Sequence, residues 1–395
     1  MKILIAGGGI GGLTAALCCL QRGHQVIVLE QAATIAEIGA GIQLPPNAIK
    51  VLHKLGLQEQ LAELAFRPEA LEARMGVSGR NIFSVALSGA AGNHWQAPYL
   101  HIHRADYIAV LRNALQTRAP NCLTLDAKIT SVTQSGQDVT VSVAGNRHYS
   151  GDALIAADGI HSTVRNIIGD DSPAAFTGNI AWRAVVPVEK LGKAKPPPTA
   201  CVWMGSGRHA VTYLLRGGEL ANFVGVVERD DWRVESWSAR GEMADALQDF
   251  KGWHPGIVTL LEQADALSRW ALYDRKPLQR WTDGRIALLG DAAHPMLPFM
   301  AQGAAMAVED AWVVAEELSQ GDASVSDRLM RYEQRRLART SRMQAISRAN
   351  ASTFHRHSTA AKILHYTPMW LAGQLVPGLI RKNFDWIYAY NVTGD

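Results

Sequence analysis

Apolar positions along this chain fall into two patterns. The first is the short uninterrupted run: Lys-Ile-Leu-Ile-Ala at 2–6, Gln-Val-Ile-Val-Leu at 25–29, a run at 153–157, and Arg-Ile-Ala-Leu-Leu at 285–289. Runs of this length, bounded by glycine or an acid, predict strands buried on both faces. The second pattern lies between 178 and 227. Strand-like segments at 180–186, 200–204, 210–215 and 220–227 follow one another there, broken by a rigid turn at the prolines 196–198. They predict the sheet of a second domain.

Other segments fill in around these. Residues 70–87 alternate apolar and polar positions around Ser78-Gly79, as a hairpin does. Residues 129–132 and 139–143 read as strands joined by a polar turn, and helical patterns cover 13–20, 47–55, 105–118, 241–250, 256–266, about 301–318 and 326–350. The stretch 360–390 is aromatic-rich and holds Pro368 and Pro377, which fits a helical cap or a dimer contact. The expected fold is α/β with an α+β insert, a Rossmann-like nucleotide-binding domain interrupted by a mixed-sheet substrate domain. Its expected division is 1–177 with 268–350 for the first domain, part of the substrate region at 66–103, the substrate sheet at 178–267, and a helical tail at 351–395.

Composition narrows the class. At 395 residues the chain exceeds one ordinary core, and with 48% hydrophobic and 19% charged residues it is a folded globular protein. A net charge of +3 with interspersed signs gives no case for a nucleic-acid partner. Cys18, Cys19, Cys122 and Cys201 form no C-x-x-C pair, and no metal-ligand cluster is evident, so a reducing cytoplasm is expected. Residues 1–20 superficially resemble a signal peptide, but their glycines and the strand that follows argue against one, and no apolar run is long enough for a membrane span.

Three motifs hold the candidate chemistry. Gly7, Gly9 and Gly12 follow the first strand at the spacing G-x-G-x-x-G, and Glu30 ends the second strand. In a strand–turn–helix–strand unit, Gly7 permits the tight turn, Gly9 lets the backbone approach a pyrophosphate, and Gly12 lets helix and strand pack closely. The helix N-terminus attracts the phosphates, and Glu30 can accept from a ribose diol, which points to FAD or NAD(H) over NADP(H). The second motif is Ala157-Asp158-Gly159-Ile-His-Ser162-Thr-Val-Arg165, where Asp158 lies near a ligand or simply caps a helix. The third is Gly290-Asp291-Ala-Ala-His-Pro-Met-Leu-Pro298 followed by Gln302-Gly303. It reads either as a ribityl-binding carboxylate with a rigid turn and a helix start, or as a capped strand–loop–helix.

Taken in this order and spacing, the three motifs resemble the single-component FAD-dependent aromatic hydroxylases, a flavoprotein monooxygenase family. The salicylate and 3-hydroxybenzoate 6-hydroxylase types are the most similar. Further support comes from Gly39-Ala-Gly41-Ile-Gln-Leu-Pro-Pro-Asn47, His103-Arg104-Ala105-Asp106 and Gln302-Gly-Ala-Ala-Met-Ala-Val-Glu-Asp310, and the resemblance covers roughly residues 1–350.

The resemblance implies FAD as cofactor, NADH or NADPH as cosubstrate, and hydroxylation of a small aromatic substrate by O2 through a flavin C4a-hydroperoxide. It implies that Glu30 holds the adenosine ribose and that Arg104 contacts the phosphate–ribityl region. Asp158 would sit near the pyrophosphate and the nicotinamide route, and Asp291 would bind the ribityl chain. Pro298 and Gly303 would lie along the isoalloxazine, and the loop 39–42, with Gly41, would line the flavin. No second G-x-G-x-x-G occurs, in keeping with a family that lacks a separate nicotinamide domain.

Such chemistry gains from a base that ionises a phenolic substrate. His209 and Tyr213 are four apart in a predicted strand and so share a face. With Gln302 they resemble the catalytic set of the 3-hydroxybenzoate 6-hydroxylases. His294 is the rival base, and Arg183 is the candidate for a substrate carboxylate or the flavin. Trp182, Trp203, Phe223 and Phe299 are candidate walls that exclude water. All these residues have a structural reading too, as ordinary core or surface. An oxidase or reductase without oxygen insertion is the alternative activity, a flavin-binding regulator the alternative class. The partners expected are the aromatic substrate and O2, in a monomer or homodimer.

Overall fold

The computed structural model describes residues 1–35, 40–88, 94–169, 173–229, 231 and 240–394. Gly39, in the loop expected at the flavin, lies outside the described residues.

The apolar runs assemble into a six-stranded sheet. Its order is Thr282–Asp283, Ile286–Leu288, Ala153–Ala156, Lys2–Ala6, Gln25–Leu29 and Leu123–Thr124. Every pairing is parallel except that of Thr282–Asp283 with its neighbour. Helices cover a parallel sheet on its faces, so its strands lack alternation; Ile3, Leu4, Ile5 and Ala6 are all fully buried. The helix Ile10–Gln21 packs against Gly303–Ser319 and Arg104–Arg118, and its Cys18 and Cys19 are free, buried side chains.

The second sheet has seven strands. Its order is Ser268–Asp274, Ala175–Pro187, Leu220–Glu228, Arg208–Leu215, Ala200–Gly205, Ala70–Met75 and Asn81–Ala86. The predicted hairpin at 70–87 therefore supplies one edge. The other edge departs from the boundary expected at 268: Ser268–Asp274 joins this sheet, pairing Ala181 with Trp270, and is no part of the nucleotide-binding sheet. One face packs on the helices Met243–Asp249 and Pro255–Glu262 through Trp182, Trp203, Phe223, Phe250 and Trp253. The opposite face packs on Leu297 and Phe299.

Two smaller sheets complete the fold: Ile129–Gln134, Val139–Val143 and Arg147–Gly151, and the pair Gly41–Leu44 with Leu100–His103. Beyond the long helix Val325–Phe354, the stretch expected to be aromatic-rich forms the helices Thr359–Leu375, Pro377–Lys382 and Asp385–Tyr388. They act as a cap. Tyr366 packs with Ala73, Ile82 and Met204 at the edge of the second sheet. Lys50 Nζ donates to the carbonyls of Tyr388 and Ala389 at 3.1 and 2.9 Å.

Candidate active site

The parallel sheet brings the sequence motifs to one rim. In register, Ala6 pairs with Leu29 and Ala156, and Ala156 pairs with Leu288. The segments leaving these strand ends hold Gly7, Glu30, Asp158 and Asp291. Ligands of open α/β sheets bind in the crevice at the carboxyl ends of the strands, where the connections diverge to either side.

At this rim the glycines divide by physical role. Gly7 adopts φ +98°, and a Cβ there would lie 2.4 Å from Ala157 O. A Cβ on Gly12 would lie 2.0 Å from Gly7 O. Gly9, which begins the helix Ile10–Gln21, has nothing within 4 Å of an added Cβ. Its space is open on the side where the helix presents its first N–H groups. Glu30 is held by backbone donors, Gly8 N at 2.6 Å and Ala32 N at 2.8 Å, each on a different oxygen. Each oxygen keeps lone-pair capacity for a further donor. Asp158 accepts from Val164 N at 3.1 Å in the first turn of the helix Thr163–Ile167, whose N-cap is Ser162, accepting from Arg165 N at 2.9 Å. Its other oxygen is buried and has no partner among the described residues. Burial raises its carboxyl above the ordinary range.

Asp291 follows the strand Ile286–Leu288 in a short 3-10 turn. Its side chain is exposed to the cleft, yet protein surrounds it closely. That burial raises its carboxyl, partly offset by His294 and Arg104. Asp291 Oδ1 lies 3.9 Å from where a Cβ of Gly303 would be, so the carboxylate faces the start of the helix Gly303–Ser319. Pro298 is exposed and opens the turn Pro298–Met300, which ends on Ala301 in the left-handed region at φ +51°. Arg104 begins the helix Arg104–Arg118, and its N–H donates to Ala40 O at 2.8 Å.

Gln302 is buried and accepts from Asn47 Nδ2 at 3.2 Å, while its own Nε2 finds no partner among the described residues. Behind it lies a buried ionic network. Asn47 donates to Glu309 at 2.7 Å; Arg336 joins Glu309 and Asp310, both at 2.7 Å; Arg339 joins Glu309 at 2.8 Å. Burial opposes both charges, but Arg336 and Arg339 hold Glu309 below the usual range, and His294 and Arg336 do the same for Asp310. His294, the rival base, is committed here: its Nε2 lies 2.5 Å from Asp310.

Across the cleft, His209 pairs with Val226, Tyr213 with Asn222, and Arg183 with Val224. Val224 also faces Val211, so His209, Val211, Tyr213 and Arg183 share the face opposite the one covered by Met243–Asp249 and Pro255–Glu262. His209 and Tyr213 stand about 13 Å apart along the strand at 3.3 Å per residue. Burial keeps the Tyr213 hydroxyl well above its ordinary value, with Arg183 partly offsetting it. His101 packs on Tyr213 with ring centroids 4.6 Å apart. A Cβ on Gly41 would come within 2.6 Å of the Tyr213 ring, and Gly41 N donates to Asn222 Oδ1 at 2.8 Å. Arg183 stacks over Trp270 at 4.7 Å.

His209 is buried against Phe299, Phe354 and His355. Burial, with His355 adding to it, lowers its basicity and keeps the ring neutral. Of the four expected walls only Phe299 is on this side. Trp182, Trp203 and Phe223 have the opposite strand parity and form the core under the two helices, with Trp182 Nε1 donating to Asp249 at 2.8 Å.

Sequence reasoning missed Asn47, His101, Asn222, Glu228 and His355. Asn222 gave one usable signal, an amide inside the otherwise apolar run 220–227; the structure buries it and leaves its Nδ2 without a partner among the described residues.

Residues 1–347 match a family described as FAD binding domain. The chain is 34% identical over 392 residues to 3-amino-4-hydroxybenzoate 2-monooxygenase PtnB3 of Streptomyces platensis, covering 99% of this chain and 96% of that protein. It is 35% identical over 356 residues to 3-hydroxybenzoate 6-hydroxylase of Klebsiella oxytoca, covering 90% and 89%. The chain belongs to the FAD-dependent aromatic hydroxylases. Its fold superposes on a salicylate hydroxylase substrate complex with a TM-score of 0.83 at 25% identity, covering 100% and 96%. Like its family, this monooxygenase binds FAD, and its rim fits that cofactor: open space at Gly9, an unpartnered buried oxygen on Asp158, and a cleft-facing carboxylate on Asp291. Among the described residues of this hydroxylase there is no group of three or more metal-ligating side chains, and no helix long and apolar enough to cross a membrane.

Proposed function

We propose that this chain hydroxylates a small phenolic or heteroaromatic acid, using NADH or NADPH and O2. The observation that carries this reading is the shared face of His209, Tyr213 and Arg183 on the second sheet, where His209 packs on Phe299 of the Pro298–Met300 turn and Tyr213 packs beside Gly41. The cited relatives, named for hydroxybenzoate substrates, agree with it.

Glu30 would hold the adenosine ribose, and the helix start at Gly9 the pyrophosphate, with Asp158 beside it. Arg104 and Asp291 would hold the ribityl end, and Gly41, Pro298, Gln302 and Gly303 the ring system. When bound, FAD reduced by the nicotinamide and exposed to O2 supplies an electrophilic oxygen atom. The chain's own side chains prepare the substrate to meet it. His209 takes the phenolic proton, because a phenolate ring is the better nucleophile. The Tyr213 hydroxyl, which burial keeps protonated, donates a hydrogen bond. Arg183 balances the substrate carboxylate. Phe299 and Leu297 keep water from the reacting atoms. The reading extends to a two-domain division with the discontinuous segments 1–177 and 268–350, corrected for the strand at 268–274. It also extends to a cytoplasmic location and a monomer or homodimer.

The test is NADH and NADPH consumption in air by FAD-loaded protein, with product analysis and a catalase control. Salicylate, 3-hydroxybenzoate, 4-hydroxybenzoate and 6-hydroxynicotinate form the panel. A compound that accelerates consumption and gains one oxygen atom supports the reading. Peroxide as the sole product with every compound defeats it in favour of an oxidase.

A further inference from the structure

A buried base must present the correct nitrogen and must also be relieved of the proton it takes. His209 has a second histidine behind it. His209 Nδ1 lies 2.7 Å from His355 Nε2, and His355 Nδ1 lies 2.9 Å from Glu228 Oε1. His357 Nε2 meets the other Glu228 oxygen at 3.0 Å. These side chains step outwards: His209 and His355 are 2% and 3% exposed, whereas the Glu228 side chain is 40% exposed. Beyond them opens a cavity of about 360 Å³ lined by Glu228, Ser352, His355, Arg356 and His357.

The hydrogen-bond order fixes the protons. A carboxylate only accepts, so His355 carries its proton on Nδ1. A neutral His355 then accepts at Nε2, so His209 donates from Nδ1. That leaves the lone pair of His209 on Nε2. Burial keeps His355 neutral as well: it lowers the ring's basicity, Glu228 opposes this, and His357 adds to it. The charged or titratable groups around His355 are His209 from the strand Arg208–Leu215, Glu228 from the end of its neighbour, and Arg356 and His357 from the segment after Val325–Phe354. Lys362 is next to them, bonded to Ser206 at 2.6 Å. Phe299 and Phe354 supply the apolar sides.

We propose that His355 and Glu228 are positioning residues for His209, locking the tautomer whose Nε2 can accept the substrate's proton and passing that proton outwards to the cavity. The inference rests on His209 being the base. As the substrate O–H bond breaks, the proton joins His209 Nε2. The Nδ1 proton of His209 passes to His355 Nε2, and the Nδ1 proton of His355 passes to Glu228 and then to water. Each ring ends neutral, and the one charge left at the site is that of the substrate phenolate. This gives the segment after the long helix a part in the reaction, well apart in sequence from the family motifs.

The tautomer can be read without a substrate. In FAD-loaded protein labelled with 15N-histidine, His209, assigned through His209→Gln, is expected to show an unprotonated Nε2 and a protonated Nδ1. In His355→Phe and in the surface variant Glu228→Gln that pattern is expected to collapse towards a mixture of tautomers. His355→Gln can still accept from His209 and donate to Glu228, so it is expected to keep the pattern but not the transfer. With the hydroxylated compound of the panel, all three variants are expected to lose about 10- to 100-fold in kcat with KM unchanged. That is less than the roughly 10²–10⁴-fold of losing a general base outright. Added imidazole is expected to restore part of the rate.

A protonated Nε2 in the wild type, or unaltered 15N shifts in His355→Phe and Glu228→Gln, overturns the proposal. If His209→Gln abolishes hydroxylation while Glu228→Gln and His355→Phe do not change it, the relay falls and the base reading survives. If His209→Gln hydroxylates like the wild type, the base reading itself falls.

Discussion

The two walls of the cleft are built in opposite ways. The nucleotide rim is made of backbone: glycines that admit no side chain, helix N–H groups, and a glutamate held by two amides. The facing sheet is made of side chains: an imidazole, a phenol and a guanidinium whose positions depend on strand parity and on residues far away in the chain. A backbone site tolerates almost nothing at its contact points. A side-chain site can lose its chemistry and keep its shape.

That contrast predicts a ladder of effects. Gly12→Ala sets a methyl group 2.0 Å from the backbone oxygen of Gly7, an atom that cannot swing away. The cost exceeds the roughly 1–3 kcal/mol of ordinary overpacking. The expected product is misfolded or free of flavin, as flavin absorbance per mole of purified protein will tell. A well-folded yellow G12A protein would break the comparison. On the other wall, His209→Gln is expected to keep FAD and melting temperature while hydroxylation falls about 10²–10⁴-fold, measured as product per NADH consumed.

Acid should expose the side-chain wall first. Burial pushes His101 down to about 3 and lowers His209 as well, so neither takes a proton in the fold near neutrality. Unfolded histidines protonate near pH 6.5, so below that pH the unfolded chain binds more protons. Stability is therefore fully present above about 6.5 and falls with acid, by up to about 1.4 kcal/mol per unit for each such ring. Melting temperatures between pH 8 and 5 check the sign; a flat profile would refute it. The smallest effect is expected for Gly9→Ala. Its backbone, at φ −79°, suits any residue, and nothing in the protein meets its Cβ. The apoprotein should melt as before, while FAD binds about tenfold more weakly, roughly 1.4 kcal/mol by titration.

Much of the rim was legible because the geometry of a parallel sheet gathers strand ends regardless of what lies between them. The spacing of Gly7, Gly9 and Gly12 and the acids at 30, 158 and 291 were enough to expect a nucleotide crevice. The facing wall was legible only in part. Period two places His209 and Tyr213 together, but parity alone does not say which face is covered by helices. Trp182, Trp203 and Phe223, open between cleft wall and ordinary core, are core under Met243–Asp249 and Pro255–Glu262. Asn222 and His355 make their contacts over separations of 181 and 146 residues, where no local pattern operates. The boundary at 268 failed for a similar reason. A strand that closes the edge of one sheet reads, in isolation, like the opening strand of another.

The strand order also sets a timetable. The strand Lys2–Ala6 gains its neighbour Ala153–Ala156 only after about two-fifths of the chain has been made, and Ile286–Leu288 completes that side of the sheet later still. The Asn47–Glu309–Arg339 network closes last, because Arg339 also donates to the carbonyls of Trp386 and Ile387. On the ribosome, the strand Ala153–Ala156 must wait as an unfinished edge while the strands from Ala175–Pro187 to Ser268–Asp274 are synthesised. An edge left open for so long is where chaperones would be needed most.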